Sequence, residues 1–346
     1  MRYRLFGRTG LRVSELCLGT MLFGRTESWG TPREDAARIV GAYAAAGGNF
    51  LDTANFYAAG ESERIVGELV ARERERWVVA SKYTLSTRLD DPNAGGSHRK
   101  NLVQSLEASL RRLDMEYIDV YWVHVHDVFT PIEEVVRALD DQVRAGKILY
   151  VGISDTPAWI VSQAITLAEL RGWTPFAGLQ IPYSLVERTV ERELLPAAKA
   201  FDLAVTTWSA LGGGVLGGAH GSGRAAAAGT RVASLPAEEA AQTLSERNLL
   251  IADAVSDVAA AHGVHSSQIA IAWLLAQRER AAVIPIVGAR TLEQTRRNIA
   301  SLDVVLTEED LALLDRASRV DPGFPHDFEA IGLAHGDTFS LVDDDR

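Results

Sequence analysis

The sequence predicts a (β/α)8 barrel, on three observations. Short apolar runs, eight of them, alternate along the chain with longer amphipathic stretches of helical period. A length of 346 residues suits one barrel of about 250 residues with insertions. The rival architecture, a doubly wound open sheet, usually carries a glycine-rich dinucleotide loop after its first strand. The segment "LGTMLFG" at 18–24 does not have that form.

The elements follow in order. After a hairpin-like opening, the expected strands are "SELCLG" (14–19), "NFLDT" (49–53), "WVVASK" (77–82), "YIDVYWVH" (117–124), "ILYVGIS" (148–154), "FAGLQIP" (176–182), "LAVTTWS" (203–209) and "AAVIPIVG" (281–288). Most are rich in Val, Ile and aromatic residues between Gly, Pro, Asp or Ser, the pattern of strands buried on both faces. Helices are expected over 32–46, 61–71, 98–113, 131–145, 157–170, 190–201, 291–300 and 307–317. Thr31 before Pro32, and Thr130 before Pro131, read as a cap followed by a first-turn proline. Strict alternation makes the sheet parallel, and the whole of 1–346 is expected as a single barrel domain. Two stretches exceed the barrel's needs. Residues 212–243 are glycine- and alanine-rich and read as a flexible, lid-like insertion; residues 321–346 form an acidic C-terminal tail.

Composition narrows the function. The net charge is −11 and the pI about 5.3, which argues against nucleic acid or an anionic membrane as partner. No run of about 18 apolar residues occurs, and the N-terminal stretch lacks a signal-peptide layout. One cysteine, Cys17, allows no internal disulfide and sits in an apolar run that reads as core. A cytoplasmic setting is the expectation. The oligomeric state is not readable.

Active sites of this architecture lie at the C-terminal ends of the strands. Polar residues fall there: Asp52, Lys82, His124, Ser154-Asp155, Gln180 and Trp208-Ser209. A buried lysine is costly alone, and an aspartate on the neighbouring strand is its natural partner. Tyr57, five residues past Asp52, can reach the same spot. Lys82 would then favour the phenolate, lower the Tyr57 pKa, and make the tyrosine a general acid or base. His124 can orient a carbonyl oxygen. The constellation is electrophilic and lacks a nucleophile, which a hydride-carrying cofactor would supply.

At this point "FGRTGLRVSELCLGTMLFG", "FLDTANFYAAGESERIVGELV", "VVASKY", "LEASLRRLDMEYIDVYWVH", "QVRAGKILYVGIS", "LQIPYSLVER", "WSALGGGVLGG" and "IPIVGARTLEQTRRNI", in this order, resemble the aldo-keto reductase superfamily. The branch most resembled holds bacterial general aldo-keto reductases and potassium-channel beta subunits. The resemblance implies reduction of an aldehyde or ketone by NADPH, reversibly, with NADH less expected, and without a Rossmann domain. It implies catalytic roles for Asp52, Tyr57, Lys82 and His124. It further implies that Trp208 stacks on the nicotinamide and that Ser154, Asp155 and Gln180 meet its carboxamide. Gly19, Thr20, Met21 and Asp52 would lie under the ring and ribose. Ser209, Leu211 and Gly213 would hold the pyrophosphate, and Gly288, Arg290, Gln294, Arg297 and Asn298 the adenosine end. Arg290 is expected to meet the 2′-phosphate. Two positions depart from the family. Asp155 stands where Asn is usual and cannot donate to a carboxamide oxygen unless protonated; it can accept from the carboxamide NH2 or turn away. Arg297 stands where relatives often carry an acid. It could add to phosphate binding or stack on adenine.

The substrate is expected to be a small carbonyl compound, in a pocket walled by Trp29, Tyr57, Tyr83, His124, His126, Trp208 and Phe324. Three rival readings fit parts of the pattern. His124 and His126, two apart on a strand, could begin a metal site of a barrel hydrolase; no metal is expected, because the other histidines fall in helices, loops or the tail. Lys82 could form a Schiff base, which an adjacent Asp52 would oppose by keeping it charged. The same fold could also serve as a cofactor-binding sensor or accessory subunit with slow turnover.

Overall fold

A computed structural model of the chain describes residues 1–27, 29–222, 230 and 232–330. An antiparallel hairpin, β1 (Tyr3–Leu5) and β2 (Arg12–Ser14), opens it. Next come β3 (Cys17–Gly19), α1 (Arg33–Ala45), β4 (Phe50–Asp52), α2 (Glu61–Val70), β5 (Val78–Tyr83), α3 (Arg99–Leu113), β6 (Ile118–Val123) and α4 (Ile132–Arg144). They are followed by β7 (Ile148–Ser154), α5 (Ala158–Arg171), β8 (Gly178–Pro182), α6 (Leu194–Ala200) and β9 (Ala204–Trp208). After β9 lie α7 (Ala237–Thr243), α8 (Glu246–His262) and α9 (Ser266–Ala276). The chain ends with β10 (Ala282–Gly288), α10 (Leu292–Ile299), α11 (Glu308–Ser318) and α12 (His326–Ala330). Strands β3 to β10 are parallel throughout. The β10–β3 pairing of Ile286 with Cys17 and Gly288 with Gly19 closes them into the expected (β/α)8 barrel.

The hairpin plugs one end. Phe6 packs edge-on against Phe50 and Trp122, with ring centroids 5.9 and 6.1 Å away. These rings share the barrel interior with Cys17, Val78, Ala80, Val120, Ala204 and Ile284. Trp122 needs more space than a barrel of β-branched residues leaves. Gly152 and Gly178 provide it: a Cβ added at Gly152 would lie 2.2 Å from the Trp122 ring, and one at Gly178 2.5 Å from Phe6. The lower half of the barrel is therefore a packed core.

Alternation along each strand positions the upper half. Two residues beyond inward-facing Cys17, Phe50, Ala80, Trp122, Gly152, Gly178, Thr206 and Ile286 come Gly19, Asp52, Lys82, His124, Ser154, Gln180, Trp208 and Gly288. The residues between them, among them Leu51, Val79, Tyr121, Val123, Ile153 and Leu179, face the helices and form the large outer core.

Some elements differ from expectation. Helices α8 and α9 were not foreseen. Ser245 caps α8, accepting from the Asn248 N–H, and Gly263 ends it in the left-handed region (φ 64). Helix α9, "SSQIAIAWLLA", is apolar on nearly every side because it is buried on nearly every side, so it shows no amphipathic period. Its start is signalled by a capping box between His265 and Gln268. Thr31 and Thr130 do not cap. The cap positions of α1 and α4 fall on Pro32 and Pro131, while the Thr31 hydroxyl turns to the Ala289 carbonyl and that of Thr130 to Asp127. The segment expected over 190–201 divides into a 3-10 turn, Thr189–Glu191, and α6. Of the insertion 212–243, the 3-10 turn Gly212–Gly217 buries Val215 and Leu216, and α7 follows; residues 223–229 and 231 lie outside the described residues, as do 331–346 of the tail. No described helix is long and apolar enough to cross a membrane.

Candidate active site

The centre of the site is a buried ammonium group. Lys82 is fully buried, and Asp52 on the adjacent strand is 2% exposed. An ammonium has three protons to place. Lys82 Nζ donates to Asp52 Oδ2, to the Thr53 carbonyl at 2.8 Å and to Tyr57 Oη at 3.1 Å. All three are thereby satisfied. Since Tyr57 accepts from Lys82, its own proton is turned elsewhere. Asp52 is held from the far side by Gln180, whose Nε2 donates to Asp52 Oδ1 at 3.0 Å and to Thr206 Oγ1 at 3.2 Å.

The loop after β4 carries Tyr57 over this pair by an unusual path. Ala58 (φ 47) and Ala59 (φ 53) both take left-handed conformations before Gly60 (φ 89). For alanine that costs roughly 1 kcal/mol or more per residue. Backbone bonds from Tyr57 N to the Ala54 carbonyl and from Ala59 N to the Phe56 carbonyl hold the turn. His124 stands edge-on to the Tyr57 ring at 6.0 Å, and its Nδ1 is buried without a protein partner.

The electrostatics follow from burial and one charge. Burial works against the Lys82 charge, but Asp52 and Tyr57 outweigh it, and its pKa lies above the ordinary lysine value. Burial and then the Lys82 charge depress His124 to about 3, so its imidazole is neutral at any ordinary pH. Tyr57 departs from expectation. Lys82 does pull its pKa down, but burial is the larger influence and the net direction is upward. Tyr57 is therefore protonated at neutral pH, the form a proton donor must start from.

The residues expected around a cofactor are arranged in complementary halves. With its amide NH2 committed to Asp52 and Thr206, Gln180 has its carbonyl left for a carboxamide NH2. Gln294 accepts from the Arg290 N–H at 2.8 Å, which leaves its NH2 as a donor. Asn298 donates to the Gly288 carbonyl at 3.2 Å, leaving its carbonyl oxygen as an acceptor. Ser209 (φ 59) accepts from the Gly213 N–H, and Gly212, Gly213 and Gly214 all have positive φ. Trp208 ends β9 with 39% of its surface exposed, an open platform for a flat ring. Gly19 ends β3 beside the Ile286 side chain, with Met21 half-buried after it. Leu211 packs on the outer core. Arg297 is engaged by Glu293 at 2.5 Å and by His265 at 3.1 Å. This donor and acceptor set fits a dinucleotide.

Several expectations are corrected. Tyr83 is not in the pocket. It follows Lys82 and so faces outward, fully buried, stacked on Tyr121 at 5.5 Å with its hydroxyl on the Ser97 carbonyl. His126 does not continue the His124 face, because β6 ends at Val123; it lines a separate cleft of about 710 Å³ with Ile132, Trp159 and Leu167. Phe324 is 82% exposed and meets Phe328, in a tail segment tied to Arg192 and Glu193. Thr20 offers no side-chain group to a ligand: it is fully buried, with its hydroxyl on the Asp52 carbonyl and Ser62. Asp155 accepts from Trp208 Nε1 at 3.0 Å, with the Ser154 hydroxyl also beside its carboxylate. Trp29 is half-buried beneath the Arg25 guanidinium, 4.7 Å from its ring centre, in the loop after β3. Thr206, which holds Gln180, is not singled out by the sequence, though it lies two residues before Trp208 on the same face. Among the described residues, no three His, Cys, Asp or Glu side chains are grouped to hold a metal.

Comparisons with known proteins show the family of the chain. The model of the aldo/keto reductase family matches residues 15–319. The chain belongs to that family. It is 40% identical to a norsolorinic acid reductase of Emericella nidulans, covering 92% of this chain and 82% of that protein. A Bacillus subtilis protein named an uncharacterized oxidoreductase is 38% identical over 91% of this chain and 95% of its own. An aryl-alcohol dehydrogenase of Pestalotiopsis microspora is 36% identical over 96% and 86%. The protein is accordingly an oxidoreductase acting on carbonyl groups.

The depressed His124 pKa has a direct test. Imidazole nitrogen shifts followed by NMR should show His124 neutral from pH 8 down through pH 5. Titration near the ordinary value of about 6.5 would contradict its burial beside Lys82. The linkage sign is that of a depressed base: this burial contributes to stability above pH 6.5 and is lost as pH falls toward 3.

Proposed function

We propose that the protein reduces an aryl aldehyde or ketone with NADPH, and that Tyr57 is the proton donor. One observation carries the reading: the Lys82 ammonium is satisfied by Asp52, the Thr53 carbonyl and Tyr57 Oη, so that the Tyr57 proton is directed away from Lys82. The nicotinamide cofactor, when bound, supplies the hydride.

Each residue then has a role. Neutral His124 donates a hydrogen bond to the substrate carbonyl oxygen and polarises it. Tyr57 gives its proton to that oxygen as negative charge develops there, and Lys82 stabilises the phenolate left behind. Asp52 keeps Lys82 protonated, which also opposes any Schiff-base role. Run backwards, the phenolate takes the alcohol proton, so the reaction is reversible. Trp208 would support the nicotinamide, with Ser154 and Gln180 on its carboxamide and Gly19 and Met21 beneath. The Ser209–Gly213 turn would hold the pyrophosphate. Arg290 and Gln294 would meet a 2′-phosphate, with Arg297 beside them and Asn298 and Gly288 at the adenine. The lone cysteine fits a cytoplasmic setting.

The aromatic substrate class rests on two supports. Phe56 is 46% exposed, Trp208 39% and Phe129 92%, in or next to the loops that follow β4, β9 and β6. One relative is named an aryl-alcohol dehydrogenase.

Tyr57→Phe removes one oxygen. It should lower turnover of an aryl aldehyde by about 10²-fold or more, with NADPH affinity within about twofold of wild type by fluorescence titration. Retained turnover would refute the donor assignment. Arg290→Ala should weaken NADPH by about tenfold, the value of a charge-assisted contact, and leave NADH nearly unchanged. Equal weakening of both would refute the 2′-phosphate role.

A further inference from the structure

Asp155 is a departure from the family pattern, and its surroundings give it a different task. It follows the buried Ser154 at the tip of β7 and takes a left-handed backbone conformation (φ 45). Its N–H donates to the Gln180 main-chain carbonyl at 3.2 Å, and its own main-chain carbonyl accepts from the His126 N–H at 3.4 Å. The backbone is thus fixed on both sides. From this perch the carboxylate reaches across β8 to Trp208, accepting from the indole Nε1 at 3.0 Å. The indole is a donor only and a carboxylate an acceptor only, so the pair can be made in one sense alone. Trp208 itself is 39% exposed and followed by Ser209 in another left-handed conformation (φ 59). The exposed part of the indole leaves its outer edge without protein packing. The Asp155 bond is the polar contact that ties its edge to the barrel.

We propose that Asp155 is a positioning residue that pins the Trp208 ring as a preformed platform for the nicotinamide. This rests on the cofactor reading above. Its physical content is pre-organisation: a ring already held in the stacking orientation loses less rotamer freedom when a cofactor binds. The role depends on acceptor geometry, so an amide that keeps the oxygen should serve where a methyl group cannot. The Trp208 bond uses one carboxylate oxygen of Asp155, beside which the Ser154 hydroxyl also lies.

The first test needs no cofactor. The emission of Trp208, isolated by subtracting the spectrum of Trp208→Phe, should become more quenchable by acrylamide in Asp155→Ala and stay near wild type in Asp155→Asn. Unchanged quenching in Asp155→Ala would overturn the pin, whether or not NADPH binds. The second test is a double-mutant cycle on the NADPH dissociation constant. Asp155→Ala should weaken binding about fivefold or more in the wild-type background. In the Trp208→Phe background it should weaken binding less than about twofold. Equal effects in both backgrounds, or a loss in Asp155→Asn as large as in Asp155→Ala, would overturn it. Thermal melts confirm that each variant is folded. Wild-type protein that fails to bind NADPH would instead refute the cofactor reading and leave the quenching result to decide the pin.

Discussion

A single buried cation organises the site. An ammonium group removed from water is expensive, by several kcal/mol even after relaxation, and Lys82 is wholly removed. Asp52 must therefore be close, and Gln180 and Thr206 must hold Asp52 in place. Removing Asp52 alone would leave an unpaired buried charge, a change that typically costs about 3–5 kcal/mol. The same charge reaches the chemistry. Together with burial, the larger cause, it keeps His124 neutral; it lies 4.7 Å from the centre of the Tyr57 ring, and it donates to the Tyr57 hydroxyl oxygen, where it would stabilise the phenolate.

The barrel beneath is arranged so that this group can be buried. Trp122 and Phe6 fill the lower interior and exclude water from below, in space left by Gly152 and Gly178. Above that layer, every strand presents its next inward residue at about the same height. Asp52, Lys82, His124, Ser154, Gln180 and Trp208 thus come from six successive strands to one mouth. The loop after β4 then bends through two left-handed alanines to add Tyr57. Strain is tolerated there because the hydroxyl has one useful destination.

Much of this was legible in the sequence because it obeys alternation. Asp52, Lys82 and His124 are strand-end residues of one parity, and burial forces the first two to pair. The errors came where alternation was ignored or a strand stopped. Tyr83 is adjacent to Lys82 and so must face the helices. His126 has the right spacing, but no strand remains beneath it. Helix α9 escaped because an element buried on all sides has no polar face to mark its period. The direction of the Tyr57 pKa depended on a balance between burial and one nearby charge, which spacing does not encode. Asp155 could be recognised as a departure from the family, but its partner lies 53 residues away across an intervening strand.

The central claim is that Lys82 acts on the proton of Tyr57 and not merely on the fold. Stopped-flow measurement of the hydride-transfer step in Lys82→Met, at saturating NADPH, tests it most directly. The residue is apolar and of similar length, so Asp52 can relax toward protonation and Gln180. The account predicts a fall of about 10²–10⁴-fold in that step, with NADPH binding preserved. A hydride-transfer rate close to wild type would contradict it.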